Sequence, residues 1–210
     1  MFYIKEIFKS IQGEGFHSGK PAVFIRFSGC NLWSGNFLGR QKAICSFCDT
    51  NFVGTNGNNG GVYNYKQLIK KVNFLWNSTF SMENKFVILT GGEPMLQVNE
   101  KLINCLKNNG FKVAIETNGT FEIKFDLDWV CVSPKENSRF ILFKGDELKV
   151  VFPQYKLNLS DLKKLDFKFF FLQPMDGSKK QTNMWNVINY CKSHKPWFPS
   201  FQFHKTLGLS

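Results

Sequence analysis

The sequence has no hydrophobic run that approaches the roughly 20 residues needed to cross a bilayer. Its first segment, MFYIKEIFKSIQGEG, carries charges inside the apolar stretch and does not read as a signal peptide, so we expect a cytoplasmic protein without a membrane partner. Only three histidines occur, and no linker rich in Pro, Gly or Ser divides the 210 residues. We therefore predict one domain over residues 1–210.

Acidic residues are also few. The chain has 16 Asp and Glu against 27 Lys and Arg, which gives a formal net charge of +11. A basic surface can attract nucleic acid. The lysines are scattered along the chain without an arginine-rich block, so we expect a solvated surface and no direct nucleic-acid partner.

Short segments rich in β-forming residues alternate with amphipathic segments, which is the pattern of β/α units around a parallel sheet. The predicted strands are residues 22–27, 86–90, 111–116, 129–133, 148–152 and 168–172. Apolar residues at helical spacing predict helices near 65–76, 98–106 and 184–191, and Ser160 or Asp161 could cap a short helix. We expect an α/β fold, a partial TIM-like β/α barrel of about six parallel strands.

Polar and glycine-rich clusters follow the carboxyl ends of these predicted strands. They are Cys30 and the segments 90–94, 116–120, 133–135 and 173–177. Turns with a purely structural role would be spread over both ends of the strands, whereas barrel-like enzymes build their sites at the carboxyl ends. The distribution predicts one composite site.

Three of the six cysteines, Cys30, Cys45 and Cys48, form a C-x14-C-x2-C pattern. Thiolates with this spacing can converge on one soft metal centre. A structural zinc site needs a fourth ligand, for which His17 or Cys105 would have to be recruited. A zinc-stabilised nucleic-acid-binding module is the non-enzymatic alternative. Three ligands suit a 4Fe-4S cluster, which keeps one iron free for a small molecule, and we favour that interpretation.

The segment 90–94 (TGGEP) combines two glycines, which let a ligand approach the backbone closely, with Glu93, which could receive an ammonium group. Together with the cysteine triad it resembles the radical S-adenosylmethionine superfamily. Within that superfamily the chain resembles the 7-carboxy-7-deazaguanine synthase family almost end to end. The matching elements, in order, are 11–15 (IQGEG), Arg26, 48–50 (CDT), 90–94, 116–120, 133–135 and 173–176. The interval 31–44 is longer than the superfamily's usual one and forms an expanded cluster-binding loop.

The resemblance implies a carbon–nitrogen lyase of 7-deazapurine (queuosine-type) biosynthesis. Its reaction would convert 6-carboxy-5,6,7,8-tetrahydropterin to 7-carboxy-7-deazaguanine with loss of ammonia. It also implies three cofactors, namely a 4Fe-4S cluster, S-adenosylmethionine and Mg²⁺. A radical derived from S-adenosylmethionine would perform the difficult chemistry, so no catalytic side chain is expected.

The resemblance further implies which residues contact each group. The cluster would be held by Cys30, Cys45 and Cys48, and Mg²⁺ by Thr50. The expected S-adenosylmethionine contacts are Phe47, Cys48, Asp49, Gly92, Ser133, Pro134, Lys135, Gln173, Pro174, Met175 and Asp176. The expected substrate contacts are Ile11, Gln12, Gly13, Arg26, Thr90 and Ser210. Glu116 and His204 are kept out of the predicted site, because a strand-end carboxylate and a lone histidine are often structural.

The implied partners are the pterin substrate, a flavodoxin- or ferredoxin-type electron donor, and a second copy of the chain in a homodimer. An enzymatic alternative is a radical activase that acts on a protein partner. Such an activase would share the cluster and cofactor motifs. It would not require the 11–15 segment together with Arg26.

Overall fold

One continuous sheet organises the protein. The computed structural model describes residues 1–77 and 84–208, and within these ranges nine strands form the sheet. In chain order they are β1 (Phe2–Ile11), β2 (Pro21–Phe27), β3 (Gly61–Tyr63), β4 (Phe86–Gly91), β5 (Lys112–Thr117), β6 (Trp129–Val132), β7 (Lys144–Phe152), β8 (Asp166–Pro174) and β9 (Trp197–Pro199). Their spatial order is β3-β1-β2-β4-β5-β6-β7-β8-β9.

The pairing is mostly parallel. Each neighbouring pair from β2 to β9 runs parallel, whereas β1 is antiparallel to both β2 and β3. The six predicted strands correspond to β2 and β4 to β8, so the expected α/β class with a largely parallel open sheet is confirmed. Strands β1, β3 and β9 were not predicted.

The helices are α1 (Tyr65–Asn77), α2 (Glu100–Asn108), α3 (Leu159–Leu162), α4 (Lys180–Ser193) and α5 (Phe203–Leu207). Helix α1 buries Leu68, Val72 and Trp76, because residues four apart lie on one face. The cap of α3 is Asn158, whose side chain accepts a hydrogen bond from the Ser160 backbone, so the prediction of Ser160 or Asp161 as the cap was wrong. No helix within the described residues is both long and apolar enough to span a membrane.

Two groups of buried side chains form the core. The first joins β1, β2, β4 and β5 to α1 and α2, and the second joins β6 to β9 with α3 and α4. The sheet runs through both groups without a break. One sheet therefore connects the two groups of core side chains.

Candidate active site

A cavity of about 340 Å³ opens on one face of the sheet. On β2, Phe24 and Arg26 line the cavity, while Ile25 between them is fully buried, because successive side chains of a strand point to opposite faces. The wall also includes Thr90 at the end of β4 and Gln173 near the end of β8. The cavity therefore lies towards the carboxyl ends of the parallel strands.

Most of the predicted site residues share this cavity. Its wall contains Ile11, Gln12, Gly13, Arg26, Cys30, Cys45, Phe47, Cys48, Asp49, Thr50, Thr90, Gly92, Ser133, Lys135, Gln173, Pro174 and Asp176. Pro134 and Met175 are not part of the wall. The backbone of Met175 is used within the fold, since its carbonyl accepts a hydrogen bond from the Asn183 side chain at 2.9 Å. Ser210 lies outside the described residues.

The three predicted cluster cysteines reach the cavity from one connection. Cys30 follows β2, while Cys45 and Cys48 follow a short 3₁₀ helix, Phe37–Lys42. A hydrogen bond between the thiols of Cys45 and Cys48 raises the pKa of Cys45 and lowers the pKa of Cys48 to about 6. Burial raises the pKa of Cys30. The hydrogen bond thus favours loss of the proton from Cys48 over loss of the proton from Cys45.

These thiols suit a 4Fe-4S cluster. No group of three or more His, Cys, Asp or Glu residues in ranges 1–77 and 84–208 is arranged to hold a metal ion. A cube spreads its cysteine ligands over separate irons, so its ligands need to surround a shared space and need not meet at one point. Cys30, Cys45 and Cys48 line the same cavity, and each is a free cysteine.

The two glycines of the 90–94 segment permit a close approach to the chain that leads to Cys30. Gly91 has φ +131°, and a Cβ on Gly92 would lie 1.9 Å from the carbonyl oxygen of Gly29. The backbone N–H of Gly92 donates to the Phe27 carbonyl at 3.1 Å. Only glycine allows this packing, which fixes the start of the cysteine-bearing connection against the end of β4.

The Glu93 side chain accepts hydrogen bonds from two neighbouring segments of the fold. It is fully buried, and its carboxylate accepts hydrogen bonds from Met95 N at 3.0 Å, Thr117 Oγ1 at 2.7 Å and Asn118 N at 2.8 Å. Burial raises the pKa of this carboxyl group. Glu93 therefore joins the ends of β4 and β5 through three hydrogen bonds, only one of which reaches Oε2. A carboxylate has about four acceptor sites, so the ammonium contact stays a prediction.

A buried ammonium lies at the floor of the cavity. Lys149 Nζ is 2.6 Å from Glu14 Oε2 and 3.3 Å from Glu116 Oε1, and the Lys149 side chain is 6% exposed. Glu14 also accepts hydrogen bonds from Gln173 at 3.2 Å and Gln202 at 2.9 Å. Burial opposes the Lys149 charge, but the two carboxylates outweigh it and hold the pKa of Lys149 well above its ordinary value.

Glu116 connects this floor to two predicted substrate residues. Its carboxylate accepts hydrogen bonds from Gln12 Nε2 and Thr90 Oγ1, both at 3.0 Å. Burial raises the pKa of Glu116. The Lys149 charge and the hydrogen bonds together lower this pKa by more than burial raises it, so the net shift is downward. Glu116 is therefore a carboxylate in the cavity wall, and its exclusion from the predicted site missed this position.

Arg26 has an ion-pair partner on the neighbouring strand. Its Nε donates to Glu6 Oε1 at 2.7 Å, and its guanidinium lies 5.6 Å from the ring centroid of Phe8. A guanidinium has five N–H donors, and this bond uses one of them. The ion pair thus orients Arg26 in the cavity wall and leaves donors for a ligand.

The last described helix closes one side of the cavity. Lys205 Nζ donates to Asp49 and, at 2.6 Å, to Asp176. Gln202 Nε2 bridges Glu14 at 2.9 Å and Asp49 at 3.0 Å. The C-terminal segment therefore ties together carboxylates from three separate parts of the chain.

Comparisons with known proteins identify the family. A 7-carboxy-7-deazaguanine synthase of Burkholderia multivorans is 47% identical over 209 residues and covers 99% of both chains. Enzymes of the same name from Bradyrhizobium diazoefficiens and Caulobacter vibrioides are each 48% identical over 209 residues, again with 99% of both chains covered. The chain belongs to the 7-carboxy-7-deazaguanine synthase family. No family model matches the sequence.

A solved structure agrees with this assignment. The crystal structure of QueE from Escherichia coli is similar with a TM-score of 0.72 and 26% sequence identity, covering 96% of this chain and 93% of that one. The expected 7-carboxy-7-deazaguanine synthase family is thus confirmed, together with its class of radical S-adenosylmethionine lyases. Membership favours the synthase over the activase and over the zinc-stabilised nucleic-acid-binding module.

Several residues of the cavity wall were not predicted from the sequence. They are Glu14, Glu116, Lys149, Gln202, His204 and Lys205. One of them left a readable signal: Lys149 is a single charge inside the apolar run LKVVF, and an isolated lysine there needs a buried partner. Glu14 and Glu116 lie in matched motifs of the sequence, but their contacts with Lys149 appear only when distant segments meet in the fold.

Proposed function

We propose that this chain converts 6-carboxy-5,6,7,8-tetrahydropterin to 7-carboxy-7-deazaguanine, with contraction of the reduced ring and loss of ammonia. The observation that supports this most is that the cysteine triad and the polar floor around Lys149 belong to one cavity. Its volume of about 340 Å³ falls within the usual range for small-molecule sites.

Cys30, Cys45 and Cys48 would hold the cluster in this proposal, with the fourth iron left for S-adenosylmethionine. When bound, the cluster and S-adenosylmethionine supply the 5′-deoxyadenosyl radical that starts the reaction. The chain's own part is to hold both groups beside the substrate and to keep water away from them.

The S-adenosylmethionine contacts would come from the rim of the cavity. Lys135 Nζ donates to the carbonyl and the hydroxyl of Ser133, at 2.6 and 2.7 Å, which holds the Ser133 turn in a fixed shape. The remaining proposed contacts are Phe47, Cys48, Asp49, Gly92, Pro134, Gln173, Pro174, Met175 and Asp176.

The substrate would lie between Arg26 and the floor. The Arg26 fork would receive the substrate carboxylate, because a guanidinium can bind it through two parallel hydrogen bonds. Gln12 and Thr90 would contact the ring, and both are already oriented by Glu116. Ile11 and Gly13 complete the proposed contacts, and Ser210 stays a prediction outside the described residues.

A Mg²⁺ ion at Thr50 belongs to the same proposal. The hydroxyl of Thr50 lies 3.5 Å from Asp49 Oδ1 in the cavity wall. Mg²⁺ prefers hard oxygen ligands and keeps several of its waters, so one threonine and the substrate carboxylate could suffice.

Two macromolecular partners complete the proposal. A flavodoxin- or ferredoxin-type protein would supply the low-potential electrons that such a cluster needs. A second copy of the chain in a homodimer is expected from the family resemblance, and a cytoplasmic location is expected from the charged N-terminal segment. No direct contact with nucleic acid is required by the reaction.

The decisive experiment is anaerobic reconstitution with iron and sulfide, followed by incubation with reductant, S-adenosylmethionine, Mg²⁺ and 6-carboxytetrahydropterin. Mass spectrometry should detect 7-carboxy-7-deazaguanine, and omission of S-adenosylmethionine should abolish it. Cleavage of S-adenosylmethionine without this product would contradict the proposed substrate. Bound zinc without iron or labile sulfide would contradict the cluster.

A further inference from the structure

The expanded cluster-binding loop, residues 31–44, folds around Arg40. This residue lies on the 3₁₀ helix Phe37–Lys42, six residues before Ser46. Its Nε donates to the Ser46 carbonyl at 2.7 Å, and its Nη2 donates to the Cys48 carbonyl. Both acceptors belong to the turn that carries Cys45 and Cys48. Arg40 therefore binds the end of the loop through two separate donors.

The same guanidinium packs on the beginning of the loop. It lies 5.0 Å from the ring centroid of Trp33, within the range of a cation–π interaction. Trp33 is itself fixed, since it is 7% exposed, packs edge-on against Phe52 and donates from Nε1 to the Asn36 carbonyl at 3.2 Å. Arg40 thus links a buried aromatic residue near Cys30 with the carbonyls around Cys48.

A backbone contact continues this link. The N–H of Cys45 donates to the Leu32 carbonyl at 3.2 Å, and the N–H of Leu32 donates to the Cys30 sulfur at 3.5 Å. The chain therefore returns to its starting point beside Cys30 after an interval of fourteen residues. A long interval gives the cysteines more freedom than a short one, unless internal contacts remove that freedom.

We infer that Arg40 is a positioning residue, which fastens the expanded loop so that Cys45 and Cys48 face the same space as Cys30. This inference rests on the proposed cluster site. Arg40 supplies what this position requires: two donors at a fixed angle and a planar cation that lies over the Trp33 ring. Lysine has the charge but lacks both the fork and the plane. The residue holds the cluster ligands without taking part in the reaction.

Two substitutions of Arg40 separate the role of its guanidinium fork from the role of its charge, and a substitution of Lys42 is the control. Arg40→Gln removes both, Arg40→Lys keeps only the charge, and Lys42→Gln removes an exposed charge from the same 3₁₀ helix. Each full-length variant is reconstituted anaerobically, and the transfer of its iron to a chelator is followed by absorbance. The unfolding temperature of each apo-protein is measured alongside, as is the midpoint potential of each cluster.

We expect Arg40→Gln to lose iron at least about tenfold faster than the wild type, because charge-assisted hydrogen bonds to two carbonyls are removed. Arg40→Lys should lose iron at an intermediate rate with a midpoint potential close to that of the wild type, because it keeps the charge. Lys42→Gln should lose iron at the wild-type rate. The apo-proteins should unfold at nearly the same temperature, since the loop is peripheral to the core.

Equal rates of iron loss in Arg40→Gln and the wild type would overturn the inference, as would equally rapid loss from Lys42→Gln. Parallel destabilisation of both Arg40 apo-proteins would assign the residue a general structural role instead, and would also overturn it. A wild-type chain that assembles no iron–sulfur cluster would contradict the proposed cluster site itself. Failure of the inference about Arg40 and failure of the proposed cluster site therefore give different results.

Discussion

Lys149 and Glu14 lie 135 positions apart in the sequence and form an ion pair of 2.6 Å beneath the cavity. The same ammonium lies 3.3 Å from Glu116, so a single cation compensates two carboxylates in a buried environment. Gln12, Thr90, Gln173 and Gln202 donate to these carboxylates. The floor of the cavity is therefore a connected polar network centred on one charge.

Lys149→Met should destabilise the chain strongly, because it leaves Glu14 and Glu116 as buried neighbours without a counter-charge. Loss of one partner of a buried pair costs about 3–5 kcal/mol in the free energy of unfolding. Urea unfolding of the apo-protein at pH 7 measures this change. Lys168→Met is the matched control, since the Lys168 side chain is 70% exposed and pairs with Asp146 at 2.7 Å. Equal stability of the two variants would contradict the role given to Lys149.

The double variant Lys149→Met/Glu14→Gln tests the same ion pair by substitution of both partners. Removal of one carboxylate relieves part of the repulsion that the first substitution creates. The double variant should therefore be more stable than Lys149→Met alone, with a coupling free energy of roughly 1–3 kcal/mol. Additive losses in the double-mutant cycle would mean that the two side chains act independently.

Glu93→Gln should lower the free energy of unfolding by about 1–3 kcal/mol. The substituted amide can still accept the bonds of Met95 and Thr117 through its oxygen, but its NH₂ group would face the N–H of Asn118. Urea unfolding at pH 7 measures the loss. Glu122→Gln is the control, because the Glu122 side chain is 67% exposed. A loss no larger than that of the control would argue against Glu93 as the link between β4 and β5.

Single substitutions should distinguish the cysteines that bind the cluster from those that do not. Cys45→Ser should abolish stable 4Fe-4S incorporation after anaerobic reconstitution, because hydroxyl oxygen is a poor ligand for this cluster. Cys191→Ser should retain about the wild-type content, since Cys191 lies in α4 outside the cavity wall. Iron and labile sulfide per chain are the measured quantities. Equal contents in the two variants would remove the basis for the cluster assignment.

Local patterns predicted much of this fold. The strands β2 and β4 to β8 are short apolar runs, and the spacing of the cysteine triad predicts a soft-metal site. Strand β1 was missed because Lys5, Glu6 and Lys9 interrupt its apolar pattern. Lys5 is nevertheless buried, since Val53 and Asn56 accept its hydrogen bonds at 2.9 and 2.7 Å. Those acceptors are far away in sequence, so no local pattern reveals them.

The residues of the candidate site also divide into those that a local pattern reveals and those that depend on contacts between distant segments. Arg26 was predicted from the family resemblance, and it lies near the end of an apolar strand just before the cysteine connection. Lys205 was not predicted, because its contacts with Asp49 and Asp176 depend on how the C-terminal segment crosses the cavity. The link that Glu93 makes between β4 and β5 was not predicted, because two of its three donors, Thr117 and Asn118, come from a distant segment. Pairing across the fold, more than residue type, determined which polar groups were missed.

Arg26 should control substrate affinity. Arg26→Lys keeps the charge but loses the planar fork, so the KM for 6-carboxytetrahydropterin should rise roughly tenfold. Glu6→Gln removes the ionic partner of Arg26 on β1 and leaves the guanidinium in place, so its effect on KM should be much smaller. Steady-state kinetics of the reconstituted variants measure both values. A larger effect of Glu6→Gln would indicate that the ion pair matters more than the ligand contact.

His17 is enclosed by aromatic side chains and titrates far from its ordinary range. Its ring lies 4.3 Å from that of Trp129 and 4.9 Å from that of Phe86, between ring centroids, and its Nδ1 is buried without a hydrogen-bond partner in the described part of the chain. Burial, helped by the charge of Lys20, lowers the pKa of His17 from 6.5 to about 4. The folded protein therefore binds this proton less readily than the unfolded chain does.

The sign of the effect on stability follows from this difference. The contribution of neutral His17 is fully present above pH 6.5 and is lost as the pH falls towards 4, because protonation then favours the unfolded chain. His17→Leu removes the titrating group. Relative to the wild type, this variant should gain up to about 2 kcal/mol in the free energy of unfolding between pH 7 and pH 4.5, with allowance for the solvent that screens a half-buried ring. Urea unfolding of both apo-proteins at pH 7, 5.5 and 4.5 measures the difference. A difference that does not vary with pH would mean that the aromatic enclosure of His17 does not exclude the charged ring.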